Sequence, residues 1–238
     1  MPFAYYGAKH GLARHYPRPT HDTIVEPFAG SAGYSVKWAN QSQRVILLDI
    51  DPKVVELWHR VQQLTDADMD ELTRHAAEDD TTTDPLIAAS AGSDNLSAAL
   101  EGKTRTITPR MRTDWPNLRR RITRALPRVR TWQIINDTYH NAPNIAATWH
   151  IDPPYQPLLD YASNQGAGNC YRHSTIDYEH LAQWCQTRQG QTMVCEQQPA
   201  AWLPFQPFRR QSSGINTDRL ELIWTNKPRQ NHDQTAIC

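Results

Sequence analysis

Five short apolar runs, each closed by a turn or a polar break, set the rhythm of the chain: Thr23–Glu26, Arg44–Asp49, Trp132–Ile135, Ala147–Asp152 and Thr192–Glu196. Continuous apolar runs of this length, without strict alternation, are the pattern of strands covered on both faces in a parallel sheet. Between them the period changes to that of a helix. Asp51 is placed to cap a helix with Pro52 at its first position, after which Val54, Leu57, Trp58, Val61 and Leu64 recur at helical spacing. Asp177 precedes Leu181, Trp184 and Cys185 in the same way, with Gly190 as the expected stop. Near the end, Arg209–Ile215 and Arg219–Thr225 flank Asn216-Thr217-Asp218 and predict an antiparallel hairpin.

Residues 66–130 break the β/α alternation and are read as an insert, leaving 1–65 and 131–238 as one α/β domain. Thr81-Thr82-Thr83-Asp84-Pro85 and Ala91-Gly92-Ser93-Asp94 are expected turns, and a helix-like stretch surrounds Leu118, Ile122 and Leu126. A chain of 238 residues can bury such a core within a single domain carrying an elaboration.

Composition narrows the function classes. With 39% hydrophobic residues in strand-sized runs, nothing approaches the roughly 18 consecutive apolar residues of a membrane span. The first residues show no basic segment followed by an apolar run, so a cytoplasmic location is expected. Cys170, Cys185, Cys195 and Cys238 form no CxxC pair and the ten histidines no HxH or HxxxH pair, so neither a metal site nor a disulfide framework is expected. Net charge is zero, yet its distribution is uneven: ten acidic residues against one basic from Asp66 to Glu101, then ten basic against one acidic from Lys103 to Arg130. Such blocks are usually solvated faces, and the basic one matters only beside a nucleic-acid chemistry.

Three strand ends carry candidate chemistry. Val25-Glu26-Pro27-Phe28-Ala29-Gly30-Ser31-Ala32-Gly33 follows the first strand, and its small residues let a ligand approach backbone N–H groups closely; a plain structural turn is the competing reading. The second strand ends in Asp49-Ile50-Asp51, where an acid is placed to accept from ribose hydroxyls. Asp152-Pro153-Pro154-Tyr155 closes a buried strand: Asp152 and the Pro153 carbonyl can together accept from one NH2 group, and Tyr155 offers a flat face to a base. A rigid strand-ending turn with a packed tyrosine competes with that reading.

Taken in order, Tyr5-Tyr6-Gly7-Ala8-Lys9, Glu26-Pro27-Phe28-Ala29-Gly30, Asp49-Ile50-Asp51 and Asp152-Pro153-Pro154-Tyr155 resemble the Dam-like (D12 class) adenine-N6 DNA methyltransferases. The resemblance covers roughly 1–60 and 131–225 and hardly touches the insert. It implies a Rossmann-like methyltransferase sheet, mostly parallel with a C-terminal antiparallel hairpin, plus a small, mainly helical target-recognition insert. It further implies S-adenosylmethionine as cofactor and double-stranded DNA as partner, with a monomer favoured. By the same resemblance Tyr6 and Lys9 hold the methionine end of the cofactor, and Glu26, Phe28 and Gly30 surround the methionine and sulfonium. Asp49 binds the ribose and Asp137 the adenine, although Lys9 also reads as a solvated charge and Asp137 as a helix cap. Asp152, Pro153, Pro154 and Tyr155 present the flipped target base. Arg105, Arg110, Arg112, Arg119, Arg120, Arg121 and Arg124 are then candidate DNA contacts, against a basic face that merely pairs with the acidic block before it. Two departures stand out: Ala8 where many relatives have glycine, and the unfamiliar run Cys195-Glu196-Gln197-Gln198-Pro199. Cytosine-N4 or RNA-adenine methylation, and a catalytically silent nucleic-acid-binding module, remain the alternatives.

Overall fold

The computed structural model describes residues 2–3, 5, 11–156, 175–211 and 219–226. Its centre is a seven-stranded sheet built from β1 (Thr23–Glu26), β2 (Arg44–Asp49), β5 (Gln133–Asn136), β6 (Ala147–Ile151), β7 (Gly190–Gln197), β8 (Gln206–Gln211) and β9 (Arg219–Thr225). The spatial order is β5-β2-β1-β6-β7-β9-β8. The five strands from β5 to β7 are mutually parallel, and β9 runs antiparallel between β7 and β8. The α/β sheet and its antiparallel finish thus follow the sequence pattern. The first hairpin strand starts earlier than expected, at Gln206, and 212–218, with the expected turn, lie outside the described residues.

Alternate residues of the parallel strands feed two apolar layers, which is why no hydrophobic alternation was visible. Ile24, Val45 and Leu47 join one buried cluster. Their neighbours Val25, Ile46 and Leu48 join the other, with Trp149, Ile151 and Val194. Helices α1 (Gly33–Trp38) and α2 (Pro52–Gln63) follow β1 and β2, and α7 (Tyr178–Gln186) precedes β7. The Asp51 carboxylate accepts the Lys53 N–H at 3.0 Å, and that of Asp177 the His180 N–H at 2.9 Å, so both expected caps form. Gly190 does not end α7, whose C-cap is Thr187. It opens β7 at φ 103°, where a Cβ would lie 2.2 Å from the Ala147 carbonyl oxygen. Close approach to β6, with a positive φ, requires glycine there.

Residues 66–130 form α3 (Asp66–Glu78), α4 (Pro85–Ala89), α5 (Ser93–Leu100), α6 (Pro109–Val129) and a small antiparallel pair, β3 (Thr81–Thr82) with β4 (Arg105–Thr106). The expected helix around Leu118 is far longer than its core suggested, because Thr108 caps it, Pro109 starts it, and Met111 and Trp115 continue the buried face of Leu118, Ile122, Leu126 and Val129 across Pro116. These helices share their apolar cluster with α2 and one face of the sheet. Gln62 of α2 donates to the Val129 and Trp132 carbonyls, each at 2.9 Å, and Arg60 pairs with Asp84 at the start of α4. No helix among the described residues is long and apolar enough to cross a membrane.

Candidate active site

Strand order reverses between β1 and β6, whose successors lie on opposite sides. In open parallel sheets the crevice outside the carboxyl ends at such a reversal is where ligands bind. The glycine turn leaves β1 and Asp152-Pro153-Pro154-Tyr155 leaves β6, so the topology brings the two motifs to one edge although about 120 residues separate them.

The turn is held from three directions. Gly30 sits at φ 45° and Ala32, the N-cap of α1, at φ 47°, so the chain doubles back tightly before the helix. Asp49, at the end of β2, accepts the Gly30 N–H on Oδ2 at 2.8 Å and the Asp51 N–H on Oδ1 at 2.9 Å. The Trp58 indole N–H donates to the Gly30 carbonyl at 2.7 Å, and the Tyr5 ring lies 3.4 Å from where a Gly30 Cβ would be. Phe28 is half-buried, its ring centroid 5.3 Å from that of Tyr139.

Glu26 ends β1 and enters the same turn. Its side chain is buried beneath the turn, where Oε1 accepts the Ser35 N–H at 2.7 Å and Oε2 lies 3.0 Å from His150 Nδ1. The opposite ring nitrogen of His150 is 3.5 Å from Cys195 Sγ, and Tyr34 stacks on the ring at 4.7 Å. Burial pulls the imidazole pKa down, but Cys195 and Glu26 outweigh it and raise it, and the His150–Glu26 pair bridges β6 to β1. Glu26 thus links the start of α1 to β6 through Ser35 and His150.

On the far side of the turn, β2 and β5 end side by side. Asn136 donates to the Asp49 and Ile50 carbonyls at 2.9 and 3.1 Å, and the Asp137 N–H to the Asp49 carbonyl at 3.2 Å. The Asp137 carboxylate accepts from Asn141 and the Thr138 N–H at 2.8 and 2.7 Å, which holds it below the usual carboxylate range. Between the two acids Ile50 is 46% exposed, an apolar side chain at a polar strand end. The sequence reading did not assign it, though its position between Asp49 and Asp51 was in view.

The segment after β6 is tethered by three elements. The Tyr155 hydroxyl donates to Glu221 of β9 at 2.7 Å, the Tyr178 hydroxyl of α7 to the Pro154 carbonyl at 2.9 Å, and the Gln156 N–H to Glu196 of β7 at 3.2 Å. Pro153 and Pro154 are buried, whereas Asp152 and Tyr155 are partly exposed. Glu196 also accepts the Trp202 indole N–H and the Gln197 N–H, both at 2.9 Å. Burial foremost, with Asp152 nearby, raises its carboxyl to about 7 against those hydrogen bonds. Glu196 and Glu221 were not assigned from sequence. Glu196 had a signal, since it closes the apolar run Thr192–Glu196 as Asp49 and Asp152 close theirs.

Of the remaining candidates, Tyr6 and Lys9 lie outside the described residues. Four of the seven arginines bond within the insert. Arg112 donates to the carbonyls of Ala76, Ala77 and Asp79 at the end of α3; Arg119 pairs with Asp70 at 2.7 Å and also bonds Thr73; Arg105 holds Asn95; and Arg110 reaches Asp114 at 3.4 Å. Arg121 is half-buried, which lowers its pKa, whereas Arg120 and Arg124 are exposed on α6. Among the described residues no three His, Cys, Asp or Glu side chains converge as a metal-ligand group.

The reversed parallel order, the glycine turn at the reversal and the antiparallel strand next to the edge make a Rossmann-like, mostly parallel α/β sheet. Residues 6–95 match the family model of the D12 class N6 adenine-specific DNA methyltransferases, which bears out over that span the resemblance read from the motifs. Asp137 and Asp152–Tyr155 lie beyond the matched span. Among solved structures, two of the rRNA methyltransferase AviRa from Streptomyces viridochromogenes are similar, each at 14% identity. Their TM-scores are 0.42 and 0.40, over 92% and 90% of this chain and 83% and 81% of theirs. A Haemophilus influenzae protein proposed to be a methylase has 10% identity and a TM-score of 0.36 over 91% of both chains. No curated protein matches the chain in sequence.

Proposed function

We propose that the protein transfers a methyl group from S-adenosylmethionine to the exocyclic N6 of an adenine flipped out of duplex DNA. The observation that carries this reading is the juxtaposition of Asp152-Pro153-Pro154-Tyr155 with the glycine turn across the strand-order reversal. The family match over 6–95 supports adenine in DNA as the target.

The residues at this edge fit such a cofactor. The positive φ of 45° at Gly30 disfavours any side chain there, so the backbone of the turn stays open to close approach. Asp49, fixed at the end of β2 by the Gly30 and Asp51 N–H groups, is the acid for the ribose hydroxyls. Asp137 accepts from the adenine amino group, and exposed Ile50 covers one face of that ring. Tyr6 and Lys9 take the methionine end, while Glu26 acts beneath the turn through Ser35. The bound cofactor supplies an electrophilic methyl group on a sulfonium.

Catalysis by the chain is then alignment. Adenine's amino lone pair is delocalised into the ring; Asp152 and the Pro153 carbonyl, each accepting one amino hydrogen, turn that lone pair toward the methyl group. Positioning of this kind is worth up to about 7–11 kcal/mol. Tyr155, its hydroxyl held by Glu221, stacks on the extruded base and offsets part of the few kcal/mol that flipping costs. Arg120 and Arg124 contact phosphates.

Incubating the protein with methyl-labelled S-adenosylmethionine and, in separate reactions, duplex DNA of mixed sequence or RNA, followed by nucleoside analysis, tests the reading. Label in N6-methyladenine is expected. Label in N4-methylcytosine, or only in RNA, would replace the target, and no transfer to any nucleic acid would sink the proposal.

A further inference from the structure

The buried carboxylate of Glu196 touches neither the glycine turn nor the target-facing atoms, yet it joins the segments around them. It has no exposed surface. Oε2 accepts both the Gln156 N–H, immediately after Tyr155, and the Trp202 indole N–H from the segment following β7, while Oε1 accepts the Gln197 N–H. Resting on the function proposed above, we propose that Glu196 is a positioning residue for the transfer step: by accepting from Gln156 and Trp202 together, it holds Asp152–Tyr155 in register with the segment after β7.

Three donors converge on this group, and the ionised carboxylate accepts all of them as charge-assisted bonds. Protonation places a hydrogen on one of the two oxygens and leaves the N–H groups facing weaker acceptors. The bonds lose their charge assistance, which roughly halves their strength. The titratable groups around Glu196 are Asp152 after β6 and Tyr178 on α7, both acids, so its surroundings keep proton uptake close to neutrality, at about 7. The sign is opposite for stability and for alignment. Because the carboxyl is raised above its usual 4.5, its contribution to folding is complete below pH 4.5 and is lost as pH rises through about 7. The fully bonded, aligned form is therefore the one that costs stability.

Two readouts test this role, one of them independent of activity. The indole 1H–15N resonance of Trp202, assigned by its loss in Trp202→Phe, should titrate near pH 7 in the parent and stay still in Glu196→Gln. In the transfer assay the parent's kcat should fall toward acid with a midpoint near 7. Glu196→Gln should be flat from about pH 6 to 9 at the parent's acid level, a loss of up to about 10²-fold at pH 8, with KM for DNA and donor affinity within about twofold. Trp202→Phe, which keeps the ring but removes one donor, should retain the limb and move its midpoint upward. A Glu196→Gln protein with the parent's rate and acid limb overturns the role, as does an unmoving Trp202 resonance in the parent. If Glu196→Gln does not fold, an unshifted midpoint in Trp202→Phe overturns it instead. Absence of transfer by the parent itself would overturn the functional reading and this role with it, whereas an active parent with an unmoved variant profile overturns this role alone.

Discussion

The carboxyl edge of the sheet and the helical segment 66–130 were both marked in the sequence by acids and bases, and they use them in opposite ways. At the edge, Asp49, Asp137 and Asp152 stand at or just after the carboxyl ends of β2, β5 and β6 in one parallel sheet. In the helical segment the charge blocks pair in part with each other: α3 carries five of the ten acids and α6 seven of the ten bases, and Arg119 meets Asp70 while Arg112 closes the last turn of α3. A run of like charge is thus a poor guide to a binding surface when its complement precedes it and the two helices pack together. An acid ending a buried strand is a better guide, because the sheet dictates where it points.

Four substitutions sharpen or break that contrast. Asp152→Ala should cut methyl transfer by at least about 10²-fold while calorimetric titration shows donor affinity unchanged; a parent-like rate would remove the edge from catalysis. Asp49→Ala should weaken donor binding by about 1.5–3 kcal/mol, the worth of hydrogen bonds to a charged group, in a protein that still melts cooperatively. Arg112→Ala should lower unfolding free energy by about 1–3 kcal/mol, since three carbonyls at the end of α3 lose their donor, and leave the salt dependence of DNA binding as it was. A lowered salt slope there would make Arg112 a DNA contact and blur the contrast. Smallest is the joint Arg120→Ala, Arg124→Ala change: anisotropy titrations at several salt concentrations should show a slope of log affinity against log salt reduced by about 0.9 per lost phosphate contact, with unfolding unaffected.

How far the sequence could be read depended on whether a feature is local. The parallel strands were legible because burial on both faces leaves unbroken apolar runs, and the caps Asp51 and Asp177 because capping acts over two or three residues. The extent of α6 was obscured by Pro116 and Pro127, which read as breaks although the buried face continues past Pro116. The pairing of Glu26 with His150, 124 positions apart, and the convergence of Gln156 and Trp202 on Glu196 exist only once β1, β6 and β7 are neighbours. Candidate ligand contacts stood out as motifs; the residues that brace them did not.

The Glu26–His150 pair also has a mechanical meaning. It is buried on both sides and spans the two strands that flank the crevice, with Cys195 of the next strand against the same ring. Sliding β1 past β6 would strand an unpaired charge in the core, a penalty of about 3–5 kcal/mol for a broken buried pair. The crevice therefore behaves as a jaw with a welded hinge. Ligand binding should then not part the two strands, and hydrogen exchange at Val25 and Trp149, partners in the β1–β6 register, should be as slow in the presence of ligand as in its absence.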